Sequence, residues 1–190
     1  MKRFFIFICL HLLLFLIVIA YQVQASEDGW KIVEESKDYI YLTKNGEVIY
    51  GDNLIFSMDY NDCDKLYHLF TFLTTKAPDD VHQFLNKRIP ITLNDMEFSA
   101  EVIHIQPILN NKASWVMFAL GEYETEKYVK LLSGFIEEHK RYEIVLADGL
   151  NFEVEKYFDI TRNRWRLDKF SEKFAETYKR CKEKTILKDS

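Results

Sequence analysis

The residues whose types and spacing best suit chemistry stand in Arg162-Asn163-Arg164-Trp165-Arg166, near the end of the chain. In an extended segment alternate side chains share a face, so the three guanidinium groups point one way while Trp165 and Leu167 point the other. The result is a cationic stripe over an anchored aromatic, a surface suited to carboxylate or phosphate groups. Arg162, Arg164, Trp165 and Arg166 are therefore the candidate residues for binding an anion or a partner. The competing reading pairs these arginines with the chain's own acids, as most surface arginines on an acidic protein are paired or solvated.

Two other residues invite a covalent role. Cys63 and Cys181 are the cysteines that remain once a leader is set aside, and in an exported chain a pair favours a disulfide over free thiols. Cys63 lies in Asp59-Tyr60-Asn61-Asp62-Cys63-Asp64. Its neighbouring carboxylates disfavour a thiolate, which argues against a reactive cysteine.

The other residues that could do chemistry lack a frame to hold it. His68, His82, His104 and His139 do not fall at the i, i+4 or alternate-strand spacings that chelate zinc. Asp59, Asn61 and Asp64 resemble the start of a calcium loop, but Asp64 occupies the position that needs glycine and Phe70 the position that needs a bidentate glutamate. Neither Ser114 nor Ser133 sits in a Gly-x-Ser-x-Gly elbow. Glu122, Glu124 and Glu126 read as a solvated turn, since glycoside hydrolysis needs two acids facing across a cleft. The reading is therefore of no catalytic residue, no metal ligand, no cofactor and no enzyme.

The elements that must position the stripe and the cysteines follow from composition and period. Lys2 and Arg3 precede an apolar run from Phe4 to Ala20, with Val23-Gln24-Ala25 giving the small residues a signal peptidase reads. Residues 1–25 are expected to be a secretory signal, and residues 26–190 a single β-rich domain. A retained membrane anchor is the alternative, and the membrane enters in no other way. Cys9 lies inside the apolar run, so no lipid-attachment site is read. Loss of the leader changes the formal charge from -5 to -7. That acidity argues against nucleic acid, whose binders carry basic patches. Lys156 to Lys184 is the basic exception, read as a solvated helix face. Hydrophobic residues make up 48% of the chain, enough to fill one core.

From Trp30 the apolar pattern has period two, predicting strands over Trp30–Val33, Tyr39–Thr43, Val48–Tyr50, Leu54–Met58 and Leu66–Leu73, with Asn45-Gly46 as a tight hairpin turn. A loop over Lys76–Asp80 and a helical turn over Val81–Leu85 follow. Arg88–Leu93 and Met96–Gln106 form a hairpin about Asn94-Asp95, and Ala113–Leu120 another strand. Tyr128, Leu131, Leu132, Phe135 and Ile136 then predict a helix opening near Thr125 and closing before Arg141. Tyr142–Ala147 and Phe152–Phe158 flank a turn at Asp148-Gly149. A last helix, capped by Asp168, carries Leu167, Phe170, Phe174, Ala175, Tyr178 and Cys181 on one face. The fold class is mainly β, an antiparallel β-sandwich or curled sheet with two packed α-helices, at the border of α+β.

The order of Trp30, Cys63, paired strands from Ile103 to Leu120, the helix at Tyr128 to Ile136, the strand Tyr142 to Leu146, Trp165-Arg166-Leu167-x-x-Phe170 and Cys181 resembles the invasion-associated locus B family of exported bacterial proteins. The family's Gly-Phe ending to the Leu-containing motif is here Lys169-Phe170. The resemblance implies a β-rich periplasmic or secreted protein with no known catalysis, linked to host interaction or the envelope. The function expected is a non-enzymatic exported binding or accessory protein, recognising a protein partner or an anionic envelope component. The alternative is a periplasmic immunity or inhibitor protein that neutralises a hydrolase toxin; an envelope glycan or lipid hydrolase stands behind both. The oligomeric state is left open.

Overall fold

The computed structural model describes residues 29–34, 37–49, 51–76, 79–139 and 141–188; the expected leader, Tyr50 and Pro78 lie outside them. Nine strands form one sheet: β1 (Trp30–Val33), β2 (Tyr39–Asn45), β3 (Asn53–Asp59), β4 (Asp62–Thr74), β5 (Arg88–Leu93), β6 (Met96–Ile108), β7 (Ala113–Glu124), β8 (Arg141–Leu146) and β9 (Arg162–Arg166). Among the described residues three α-helices join them, α1 (Thr125–His139), α2 (Val154–Tyr157) and α3 (Phe170–Lys188), with a 3₁₀ turn at Asp79–Phe84. The strand order is β1-β2-β3-β4-β7-β6-β5-β8-β9. Every ladder is antiparallel.

The sheet curls into a half-barrel, so of the two expected forms the curled sheet is the one found. Its two ends approach each other: Glu47 N donates to Arg164 O of β9 at 2.9 Å, and Trp30 Nε1 of β1 donates to Asp168 O at 2.9 Å. Alternation explains the filling. Leu54, Phe56 and Met58 of β3 face inward and are fully buried. Phe70 of β4 and Phe118 of β7 are cross-strand partners whose rings stack at 4.8 Å. Burying each such ring contributes roughly 1.5–3 kcal/mol, which is why the aromatic content supports a core at this size. Over the open side α3 lays Phe170 and Phe174 on Trp30 and Phe56. The disulfide joins Cys63 on β4 to Cys181 on α3, with Cα atoms 6.0 Å apart.

Several local expectations are corrected. Residues 46–49 form no strand, and Gly46 does not take the positive φ of a tight turn. Glycine is needed there for close approach, since a Cβ on Gly46 would sit 2.2 Å from Nδ2 of the buried Asn163. Phe152–Phe158 is not the partner strand of β8, which pairs with β5 and β9. Val154, Tyr157 and Phe158 instead face the core at i, i+3 and i+4, a helical spacing, and Asp148 Oδ1 accepts from Val154 N at 2.8 Å to start α2. The last helix begins at Phe170, after Lys169 in the left-handed region at φ 60°. Asp168 therefore precedes the capping position, and its carboxylate faces Arg166 at 3.6 Å. Ala175 is exposed, while Thr177 is buried and donates to Lys173 O at 2.7 Å. Asn94-Asp95 does take positive φ at both positions, as a two-residue hairpin turn requires.

Asn163 pins β9 to the 46–52 loop. It accepts from Val48 N at 3.0 Å and Arg164 N at 2.8 Å, and donates to Ile49 O at 3.0 Å and Asp52 Oδ2 at 2.7 Å. The side chain cannot retreat without giving up those bonds. Gly46→Ala is therefore expected to destabilise the protein by about 2–3 kcal/mol in urea unfolding. A change under about 0.5 kcal/mol would show the pin to be soft.

Candidate functional site

The arginine stripe lies on β9, the last strand of the sheet, with its side chains alternating as the extended backbone dictates. Trp165 is fully buried. Arg166 Nε faces Glu47 at 3.3 Å as well as Asp168, and Arg164 Nε lies 3.4 Å from Glu47 Oε2 without hydrogen-bond geometry. Glu47 thus serves two of the three guanidinium groups. Arg162 is exposed and has no carboxylate within ion-pair distance among the described residues. Beneath the stripe, burial raises the Asp52 carboxyl to about 6, against the hydrogen bonds from Leu73 N and Asn163 that lower it. The end of the stripe opens onto a polar cleft of about 600 Å³, where Arg166 and Asp168 meet Asn94, Asp95, Arg141 and Glu143.

A second place was not found by reading the sequence. Between α1 and the inner face of β5 to β8 runs an apolar groove of about 860 Å³. Its walls include Leu131, Leu132 and Phe135 of α1, Leu93 of β5, Phe98 of β6 and Tyr142 of β8. Phe98 is 48% and Leu131 66% exposed, large apolar side chains left in solvent at the groove. The cause is geometric. α1 buries Thr125 and Leu132 and packs Tyr128, Val129, Phe135 and Ile136 partly against the core, which leaves Leu131 at the edge of that face on the lip of the groove. A signal was present: α1 carries a wide apolar face opposite a hairpin with Met96 and Phe98 at its tip, more apolar surface than one contact covers.

The groove's polar groups are few. Arg88, at the start of β5, donates to Ser99 Oγ at 2.8 Å and to Ser99 O at 2.5 Å. Glu101 is its register partner across the hairpin, yet no carboxylate comes within ion-pair distance of Arg88 among the described residues. Glu97 is the one acid in the lining. Glu122 and Glu124, next to the groove residue Tyr123, face away to Lys65 and Lys127.

Under the groove lies a buried polar triad of rings. His68, fully buried on β4, rests on Phe56 at 4.4 Å and 5.4 Å from Tyr142, and its Nδ1 is 2.6 Å from Tyr128 Oη. Burial lowers the imidazole to about 3, so it is neutral near pH 7, and burial raises the Tyr128 phenol. Tyr128 is thus a donor and Nδ1 its acceptor. His68 Nε2 and the Tyr142 hydroxyl, both buried, have no hydrogen-bond partner among the described residues. Burial also holds Tyr142 neutral, raising it well above its ordinary value.

No group of three or more His, Cys, Asp or Glu side chains is gathered to hold a metal ion among the described residues. No described helix is long and apolar enough to cross a membrane. The architecture is thus a curled antiparallel sheet, bridged to its C-terminal helix, with an open apolar groove under its first helix. No family model, curated protein or solved structure matches the chain.

Proposed function

We propose that this chain is an exported, non-enzymatic binding protein of a bacterial envelope, periplasmic or secreted, and that the groove under α1 is its working surface. The observation that carries this reading is the groove itself. Its volume of about 860 Å³ falls within the range of small-molecule and side-chain sites, and it leaves large apolar side chains in solvent. The buried bridge supports export, because paired cysteines persist in oxidising compartments. The single acid in the lining supports binding over carboxylate hydrolysis, which needs two. The arginine stripe offers less to a partner, since Arg164 and Arg166 already face Glu47 and Asp168.

The test uses the protein as the cell makes it, with the bridge intact. N-phenyl-1-naphthylamine, an apolar dye, is expected to bind one to one and to brighten. Leu131→Glu, at an exposed site, places a charge on the groove's lip and is expected to weaken the dye about tenfold or more without moving the thermal midpoint. A folded protein that shows no saturable dye binding would remove the groove from the account. Fractionation bears on export: the reading expects a chain beginning after Ala25 outside the cytoplasm.

A further inference from the structure

Resting on the groove as the binding site, we propose that its occupant is an extended peptide segment of a protein partner, added as a strand in the slot where β6 and β7 part. The sheet splits there. The β6–β7 ladder runs from Ile108 opposite Ala113 to Glu101 opposite Ala119 and stops, while β6 continues with β5 back to Met96 and β7 continues with β4 to Glu124. Residues 96–100 of β6 and 121–124 of β7 thus have a ladder partner on one side only among the described residues. Both segments line the groove.

The lining shows that β6 turns an edge to the groove. A strand offering only a face contributes alternate residues, whereas Met96, Glu97, Phe98 and Ser99 line the groove consecutively, and the first three are exposed. The backbone agrees. Asn94-Asp95 is a two-residue turn, so Leu93 with Met96 and Ile91 with Phe98 are the hydrogen-bonded pairs, and Glu97 and Ser99 turn their N–H and C=O groups away from β5. Pro90, opposite Ser99, fits that phase: it has no N–H to give, and its carbonyl accepts from Ala147 N on the far side. Ser99 O accepts from Arg88 Nη2, which leaves Glu97 N–H, Glu97 O and Ser99 N–H without a partner among the described residues. These groups decide the class of occupant. A purely apolar ligand would cover them unsatisfied, whereas a strand presents alternating donors and acceptors at their spacing. Met96 and Phe98 share the inner face with their partners Leu93 and Ile91, and Leu131 stands exposed on the α1 wall. A strand along this edge therefore lays every second side chain on apolar surface, which selects apolar residues at alternate positions with polar ones between.

The test uses the bridged protein and a blocked heptapeptide of alternating valine and threonine with a lysine at each end. The peptide is expected to displace the bound dye one to one. It is also expected to slow hydrogen exchange at the Glu97 and Ser99 amides about tenfold or more, a slowing that the dye, with no backbone to pair, does not produce. Glu97→Pro removes an edge donor at a position where β5 needs none. It is expected to weaken the peptide about tenfold or more relative to Glu97→Ala, while the two variants bind the dye alike. Protection of the Phe98 amide reports that the hairpin is intact in the proline variant; where it is lost, the exchange result on the wild type decides alone.

Peptide binding that leaves the Glu97 and Ser99 amides exchanging freely, or equal peptide affinity in the two folded variants, overturns the strand pairing. Bound dye that the heptapeptide fails to displace at about 1 mM overturns the peptide class and leaves the groove reading standing; absent dye binding ends both. A dimer that the peptide dissociates would show a strand of a second copy in the slot, and overturns the assignment to a foreign partner.

Discussion

Replacing Cys63 and Cys181 together by serine is expected to lower the unfolding free energy by about 4–5 kcal/mol. The two residues are separated by 118 positions, so the bridge removes a long loop's freedom from the unfolded chain. In the folded state it ties the strand that enters the core at Cys63 to the helix that roofs Trp30, Phe56 and the ring pair Phe170 and Phe174. Urea unfolding of the oxidised, reduced and serine forms measures it. The reduced and serine forms should agree and lie well below the oxidised one, with hydrogen exchange rising first in residues 170–188. Three equal stabilities would show that packing alone holds α3.

Acidification should destabilise the protein through His68, by about 3 kcal/mol between pH 7 and pH 4. The sign follows from linkage. The imidazole is held to about 3 by burial when folded, against 6.5 as its ordinary value. The unfolded chain therefore binds a proton that the native one refuses. Stability on this account is full above about 6.5 and is lost as pH falls toward 3. Asp52 acts the opposite way: raised to about 6 from 3.8 by burial, it favours the fold as pH falls through that window. Comparison with His68→Phe separates the two, because the variant keeps Asp52 and fills the stack between Phe56 and Tyr142. Wild type should lose stability relative to the variant steadily as pH falls below 6.5. A difference independent of pH would mean that His68 is protonated in the fold or open to water.

Much of the β framework was legible because period two is a property of neighbouring residues. Strands such as Leu54–Met58 and the Asn94-Asp95 turn declare themselves locally, and so does the helix over Tyr128 to Ile136. The bridge was legible because only two cysteines, Cys63 and Cys181, lie outside the expected leader. Where the reading failed, a distant partner decided. Asn45-Gly46 has the form of a hairpin turn, but the glycine is there for Asn163, more than a hundred residues away. Phe152, Val154 and Phe158 alternate like a strand, yet Val154, Tyr157 and Phe158 also fit a helical turn, and stacking of Phe152 on Tyr157 at 5.6 Å accompanies the helical choice. The arginine stripe was visible as a pattern, whereas the approach of Glu47 to Arg164 and Arg166 depends on how the sheet curls. The groove was invisible for a related reason. Periodicity marks Leu131 as apolar and helix-borne, but only the separation of α1 from β5 and β6 leaves it uncovered.

The most direct measurement of the central claim is a methyl and aromatic NMR titration of the bridged protein with N-phenyl-1-naphthylamine. The account predicts shifts confined to the groove, at Leu93, Met96, Phe98, Leu120, Leu131 and Leu132, saturating at one equivalent. Shifts scattered over the surface, or centred on Arg162, Arg164 and Arg166 instead, would contradict it.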